Sequence, residues 1–191
     1  MNTGRLEAFS DGVIAILITI MVLELKIPGG SDLNALRPLV PILLTYVMSF
    51  VFLGIYWNNH HHLLLATERI NGRVMWANLH LLFWLSLTPF VTGWMGQNHN
   101  AAVPNAAYGS VLLGAAIAYW ILQRQIVSAQ GPQSKMAELF GRDLKGNISP
   151  VIYIAAIGLA FVNPLISDAL YVSVVLMWLV PDRRIERNLG G

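Results

Sequence analysis

The first hydrophobic segment of the chain, Arg5 to Ile27, is apolar enough to enter a membrane, yet charged residues stand near both of its ends. Only Gly12 to Leu23 is free of charge. That charge-free stretch covers roughly 18 Å at 1.5 Å per helical residue, whereas a hydrocarbon core is about 30 Å thick. Charges at such depth require protein partners or water. The segment is therefore predicted to line a wet cavity and not to face lipid.

The composition indicates an integral membrane protein. Of the 191 residues, 55% are hydrophobic and only 12% are charged, about half the charged fraction of soluble domains, and the apolar residues come in long blocks. No cleavable signal peptide is expected, because Arg5 is followed by Glu7 and Asp11 and no small-residue cleavage site closes a short apolar core. The absence of cysteine excludes disulfides and thiolate chemistry. The basic residues are scattered beside apolar segments, which argues against nucleic-acid binding.

Six spans are predicted in a single membrane domain covering 1–191, at 6–27, 38–58, 74–95, 104–124, 148–163 and 165–180. A turn at Pro28 ends the first span, and Pro89 should kink the third. The polar stretch 125–147 is predicted to be a loop, with room for a short helix at 134–141. The last two spans are either one long broken helix or two short helices that turn at Asn163-Pro164.

The distribution of basic residues favours two short final helices. With six spans, only Lys26 and Arg37 of the twelve lysines and arginines fall on one side. Five spans would divide them seven to five. The larger group is then cytoplasmic together with both termini, and it comprises Arg5, Arg69, Arg73, Arg124, Lys135, Arg142, Lys145, Arg183, Arg184 and Arg187.

A helical wheel of the first span separates two faces. A branched apolar stripe falls within about 60°, flanked by Gly12 and Thr19. Asp11 lies roughly 140° from the centre of the stripe at Ile16. The stripe can meet symmetry-related copies around an axis while Asp11 turns back into its own subunit; ordinary helix packing is the alternative. The stripe consists of Ile16, Ile20, Leu23 and Ile27.

Three consecutive histidines, His60, His61 and His62, stand at the end of the second predicted span. Consecutive helical residues point about 100° apart, so these three imidazoles cannot share one metal ion. Zinc would need further ligands, for which Glu68 and His80 are the nearest candidates. A hydrogen-bonding role at the membrane interface is favoured, and neither a metal site nor a cofactor is predicted.

Asp11 lies near the same end of the bundle, and a buried aspartate needs partners. A polar cluster of Arg5, Ser10, Asp11 and one histidine would satisfy every member, while helix capping by Ser10 and Asp11 is the alternative. The available donors to Asp11 are Arg5, His61, His62, Asn78 and His80. The isolated Ser, His and Asp residues show no catalytic spacing, so an enzyme is not expected.

The motif Arg5-x-x-x-Phe9-Ser10-Asp11, with the Ala-Ile…Thr run that follows, resembles the signature of the transmembrane protein 175 family of cation channels. Trp57…His60-His61, Trp76-x-Asn78 and Pro89-Phe90…Thr92 resemble the family's second and third spans. The likeness covers roughly 5–95 well and the remainder mainly by hydropathy. The third histidine, His62, is not part of the family pattern.

The resemblance implies an all-α, potassium-permeable channel with six spans per subunit, a homotetramer in which the first helix lines the pore. It implies a central constriction at Ile16, with further apolar rings at Ile20 and Leu23 and a matched Thr19. Other monovalent cations are candidate permeant ions beside potassium, and the bilayer is the remaining partner. The family's Arg and Phe-Ser-Asp motif holds the helix by polar contacts to neighbouring spans. Its residues match Arg5, Phe9, Ser10 and Asp11.

Three functions stay open from the residues alone. The first is a potassium channel without a carbonyl filter, closed by apolar side chains in a prokaryotic plasma membrane. The second is proton conduction or proton-coupled transport through Asp11 and the histidines. The third is a non-conducting membrane scaffold. A chain of this size has too little interior to enclose a pore alone, so a channel requires an oligomer.

Overall fold

The computed structural model describes residues 3–131 and 144–179, which are helical apart from the connecting segments and contain no strand. The predicted all-helical architecture with six apolar segments is confirmed: among the described residues, four segments are long and apolar enough to cross a membrane, and the last two are shorter apolar helices. The third predicted span is divided into two helices. The helices are α1 (Thr3–Met21), α2 (Val40–Leu65), α3 (Gly72–Ser86), α4 (Thr88–Gln97), α5 (Ala102–Gln130), α6 (Leu144–Ala160) and α7 (Pro164–Leu179).

The first span ends earlier than the sequence predicted. A 3-10 turn, Val22–Glu24, follows α1, and Leu25 is already extended at φ −78° and ψ 108°. Pro28 favours extended backbone in the residue before it, so the chain does not return to a helix there. Ile27 therefore lies beyond the helix and is 94% exposed. Its predicted place on the helical stripe is wrong.

The second and fourth spans are longer than predicted. α2 runs to Leu65, so the three histidines lie within its last turns and not at a loop. The prediction ended the span where polar residues begin, but those residues are compatible with a helix and no proline or glycine interrupts them. α5 runs to Gln130 and stops at Gly131, whose φ of 95° suits glycine.

The third span breaks near Pro89, as predicted. Proline has no N–H to donate and its ring displaces the preceding turn, and a turn at Leu87 divides α3 from α4. Hydroxyls bond to carbonyls near the break: Ser86 Oγ donates to Phe83 O at 2.7 Å, and Thr92 Oγ1 lies 2.7 Å from Thr88 O.

The last two spans form an antiparallel hairpin of two short helices, which settles the alternative in favour of a turn before Pro164. Ser167 Oγ donates to Ala156 O at 2.5 Å near the turn. Trp178 Nε1 donates to Ser149 Oγ at 2.9 Å at the far end of the pair. The helix proposed for 134–141 lies outside the described residues, and so do the arginines at 183, 184 and 187.

The centre of the bundle is α5, which packs against α3, α4, α6 and α7, whereas α1 lies at the edge against α2, α3 and α4. Over the most apolar 18 residues of each segment, 61% of α5 is buried, but only 28% of the first span is. The first span is thus held on one side only. Fully buried Tyr108, Leu112 and Leu122 of α5 lie in the central apolar core.

Two glycines permit close helix contacts. A Cβ added to Gly96 in α4 would lie 2.8 Å from the Cα of Ile42 in α2, and one added to Gly114 in α5 would overlap the ring of Trp84 in α3. In a membrane, where helix association depends on such close packing, small residues at these points are favoured.

Replacing Gly96 with Ala is expected to lower stability by about 1 to 3 kcal/mol, because the new methyl group meets backbone that cannot turn aside. Thermal unfolding in detergent measures this as a lower midpoint. Gly158→Ala is the matched control in α6, since its added Cβ meets nothing within 4 Å and alanine favours a helix. Equal midpoints for both variants would contradict the close α2–α4 contact.

Candidate pore face and polar contacts of the first helix

Within the single chain, α1 has one packed face and one face without a protein partner. The packed face carries residues spaced by three and four, which is the spacing of one helix side. Ile14 is 1% exposed and Met21 is fully buried, whereas Ile16 is 57% exposed. The packed residues are Leu6, Ser10, Ile14, Leu17 and Met21.

The unpartnered face of α1 is wide: it is exposed at Ala8, Phe9, Gly12, Ala15, Ile16, Thr19 and Ile20, and it continues at Val22 and Leu23 after the helix. The part of this face formed by Phe9, Gly12, Ile16, Thr19, Ile20 and Leu23 is hereafter called the exposed stripe. Leu23 is 78% exposed and stands in the 3-10 turn after the helix. The Thr19 hydroxyl donates to Ile16 O at 2.9 Å, so its hydrogen is satisfied within the helix. All residues of the predicted apolar stripe except Ile27, which lies beyond the helix, are on the exposed face, but that face is wider than the stripe, since Ala8, Ala15 and Val22 are exposed as well.

A buried hydrogen-bond chain fixes the packed face. Asn78 Nδ2 of α3 donates to Ser10 Oγ at 2.9 Å, and Ser10 Oγ donates to Leu6 O at 2.9 Å. His60 Nε2 lies 2.7 Å from Asn78 Oδ1. Because the amide oxygen only accepts, His60 must carry its proton on Nε2. The chain joins α1, α2 and α3 through three side chains that are each 0% exposed.

The predicted single cluster around Asp11 is wrong. Asp11 Oδ1 accepts from Trp57 Nε1 at 3.0 Å and from none of the predicted donors. Trp57 stands on the turn of α2 that faces Asp11. His61 lies one turn further along the same face, with its ring stacked 6.1 Å from that of Trp57, and it contacts Glu7 instead. The contact with Trp57 does turn Asp11 towards its own subunit, as the helical wheel predicted.

The remaining predicted polar residues have separate partners. His61 Nδ1 lies 2.7 Å from Glu7 Oε1, which joins α2 to α1 at this end of the bundle. His80 Nε2 accepts from Trp84 Nε1 at 3.0 Å, one turn along the same helix. The buried Nδ1 of His62 has no partner among the described residues. Arg5 is on the surface of the chain.

Two polar contacts were not predicted from the sequence. His60 was not among the predicted partners, because the family pattern did not say which histidine is buried. Ser49 of α2 lies 3.0 Å from Tyr108 Oη and 2.7 Å from Thr92 Oγ1, tying α2 to α5 and α4. Isolated serine and tyrosine residues in apolar spans gave no pattern that would have revealed this contact.

A metal site finds no support in the described part of the chain, where no three His, Asp or Glu side chains lie close enough to hold an ion. His61 and His62 have ring centroids 5.7 Å apart, and Glu7 reaches only the first of them. His60 and His61 form hydrogen bonds at this end of the bundle.

Comparisons with known proteins agree on one family. The family described as "Endosomal/lysosomal potassium channel TMEM175" matches residues 5–89. A potassium channel of Chryseobacterium sp. (strain P1-3) is 51% identical over 189 residues, 99% of this chain and 98% of that one. The crystal structure of a lysosomal potassium-selective channel TMEM175 homologue from Chamaesiphon minutus has a TM-score of 0.82 at 26% identity, covering 93% of this chain and 96% of that one.

A more distant relative has a different activity in its name. The endosomal/lysosomal proton channel TMEM175 of Gallus gallus is 41% identical over 81 residues, 36% of this chain but only 16% of that protein. The likeness to the Chryseobacterium channel nevertheless extends over nearly the whole of both chains. The chain is an integral membrane protein and no enzyme, and it belongs to the TMEM175 family of ion channels.

Proposed function

We propose that four copies of the chain form a potassium-permeable cation channel with α1 around a central pore. The observation that carries this proposal is the division of α1, with Ile14 and Met21 buried while Ile16 and Leu23 are exposed. The names of the Chryseobacterium and Chamaesiphon relatives point to potassium. The bound partners are lipid and other copies of the chain, and potassium or another monovalent cation is the permeant ion, with no cofactor.

A pore explains the exposed stripe better than lipid does. Gly12 and Thr19 contribute little apolar surface for lipid, and the charged residues at both ends of the span are costly in hydrocarbon. A water-filled pore accommodates both the Gly12 and Thr19 positions and the charged residues at the ends of the span. Because one chain cannot enclose that pore, the stripe must meet other copies, and closed cyclic symmetry is the usual arrangement.

The proposed constriction consists of rings of Ile16, Ile20 and Leu23, with Gly12 and Thr19 lining wider parts of the pore. The carbonyls of α1 are engaged in hydrogen bonds along the helix, so the helix presents side chains and not carbonyls to an ion. A ring of branched apolar side chains closes a pore by contact and dewetting. Opening then requires outward movement of the first helices. Ile27, beyond the helix, is outside these rings.

The proposed location is a prokaryotic plasma membrane with both termini in the cytoplasm. The support is the bias of lysines and arginines, which places ten of the twelve on the side of the termini.

Replacing Ile16 with Asn is expected to increase potassium leak severalfold and to reduce potassium preference over sodium, because an amide wets the constriction. Flux from proteoliposomes under potassium and sodium gradients measures both effects. Ile154→Asn in α6 is the matched control, because Ile154 is 60% exposed against 57% for Ile16. Unchanged flux in a folded Ile16→Asn tetramer would show that the constriction lies elsewhere.

The chain of Ser10, Asn78 and His60 is proposed to position α1, and Asp11 to support it through Trp57. Phe9, predicted to belong to the same set, lies on the unpartnered face. Asn78→Ala should lower stability by about 1 to 3 kcal/mol, since it leaves the buried His60 Nε2–H without an acceptor and removes the bond to Ser10 Oγ. Thermal unfolding and basal flux are the measurements. Asn98→Ala is the control, because that exposed amide bonds only to Trp94 O one turn back. If the two variants were equally stable, the hydrogen-bond chain through Asn78 would not position α1.

Proton conduction is the second candidate, favoured by the name of the Gallus gallus relative and by the 2.7 Å contact between His61 and Glu7. Glu7, Asp11 and the three histidines lie near one end of α1, so protons would have to cross the charge-free stretch along water.

This candidate predicts flux driven by a pH gradient alone, lost when His61 and His62 are both replaced with Gln. A pH-sensitive dye inside proteoliposomes reports it. Potassium flux that persists in the double variant, with no proton flux in the unmodified chain, would leave the potassium channel as the single function.

A further inference from the structure

An open groove, hereafter the α3–α5 groove, runs between the first turns of α3 and the later turns of α5. Its volume is about 840 Å³, within the range of about 300 to 1,000 Å³ for sites of organic ligands. Neither the exposed stripe of α1 nor the Ser10–Asn78–His60 chain contributes to it. The side chains that line it are Asn71 before α3, Arg73, Trp76 and His80 of α3, and Ile121 and Gln125 of α5.

The spacing of the lining residues follows from helix geometry. Arg73, Trp76 and His80 are separated by three and four positions, so they share one face of α3, and the two residues of α5 stand four apart. One turn beyond His80, α3 and α5 are in close contact, because the ring of Trp84 covers Gly114. The groove therefore opens from this contact towards the beginning of α3.

Two side-chain acceptors of the groove are already engaged by the protein. Asn71 Oδ1 accepts from Val74 N at 3.0 Å, and His80 Nε2 accepts from Trp84 Nε1 at 3.0 Å. Because Nε2 of His80 accepts, the proton of the neutral ring is on Nδ1, where it can be donated to a ligand. No carboxylate is among the described residues that line the groove. The groove thus offers a ligand mainly hydrogen-bond donors.

The charge of the groove decides the sign of the ligand. The exposed guanidinium of Arg73 has no hydrogen bond or ion pair with any other described residue. Beside it, the N–H groups of Gly72 and Arg73 in the first turn of α3 have no helical carbonyl to bond to, and the Asn71 side chain caps only Val74. An anion gains from the guanidinium and from the positive end of the helix, whereas a cation is repelled by both.

The groove continues into an exposed apolar strip on the same two helix faces. Phe83 of α3, three residues after His80, is 56% exposed, and Ile117 of α5, four residues before Ile121, is 43% exposed. Trp76, at 75% exposed, stands between the basic end and this strip, as tryptophan does at a membrane–water interface. An anion that carries hydrocarbon chains can use both parts of the surface, whereas a soluble anion can use only the first.

We propose that the α3–α5 groove binds the head group of an anionic phospholipid, with the phosphate at Arg73 and the start of α3. The acyl chains stay in the bilayer along Phe83 and Ile117, so the groove has to hold the head group alone. Basic pockets between transmembrane helices on the cytoplasmic side bind anionic head groups, and the excess of lysine and arginine places this end of the bundle on that side in the proposed orientation. The inference is independent of the ion that the channel conducts.

Native mass spectrometry of the full-length chain in detergent, titrated with dioleoyl phosphatidylglycerol or dioleoyl phosphatidylcholine, tests the proposal. We expect the anionic lipid to bind at least about fivefold more tightly, the factor that one basic residue contributes beside an anionic head group. Arg73→Gln removes the guanidinium, and Gln125→Glu adds a negative charge from the α5 side. Each should abolish the preference. The matched controls are Arg69→Gln and Asn58→Glu, at exposed positions outside the groove, and both should keep it.

Equal binding of the two lipids by the unmodified chain would overturn the proposal. A preference that survives in the folded groove variants, or one that is lost equally in the controls, would overturn it as well, because net charge and not the groove would then select the lipid. Glycerol phosphate is the probe for a soluble anion, and displacement of phosphatidylglycerol by it at similar concentration would show that the groove takes a phosphate and not a lipid. Circular dichroism checks folding, and if one groove variant does not fold, the other decides, since the two changes lie on different helices.

Discussion

The one-sided packing of α1 is the constraint on which the rest of the molecule depends. Ile14, Leu17 and Met21 are buried against the bundle while Ile16 and Leu23 are exposed. Lipid supplies little hydrophobic drive for helix association, so close packing and interhelical hydrogen bonds must hold such a helix. The Ser10–Asn78–His60 chain supplies those bonds at one end. The opposite side of the helix is thereby left free to face an axis.

Polar residues at the start of α1 are divided among several partners and do not form one cluster. The buried chain contains no carboxylate, whereas Asp11 bonds to the indole of Trp57 and Glu7 contacts His61 nearer the surface. This division suits a membrane protein, because a buried carboxylate is costly. The channel proposal uses the buried chain for position and the apolar stripe for closure.

The other half of the bundle, formed by α5, α6 and α7, is closely packed and borders a cavity. α5 is buried on most sides, and its contacts with α6 and α7 rest on close approaches at Gly109 beside Tyr171. Together with α2, the same helices enclose a small aromatic cavity whose lining includes Tyr56, Tyr119 and Trp178.

The membrane class, the six spans, the broken third span and the faces of α1 could be read from the sequence, because hydropathy, proline and helical periodicity are local properties. Three things could not. The end of α1 before Ile27 and the length of α2 depend on backbone geometry that hydropathy does not report. The choice of His60 over its neighbours, and of Trp57 as partner of Asp11, depends on the rotation of α2 against α1, since adjacent residues differ by about 100°. The aromatic cavity brings together residues from four helices. The sequence by itself determined which segments enter the membrane and which side of α1 is apolar; only the tertiary structure decided which polar groups meet, because those meetings depend on how separate helices pack.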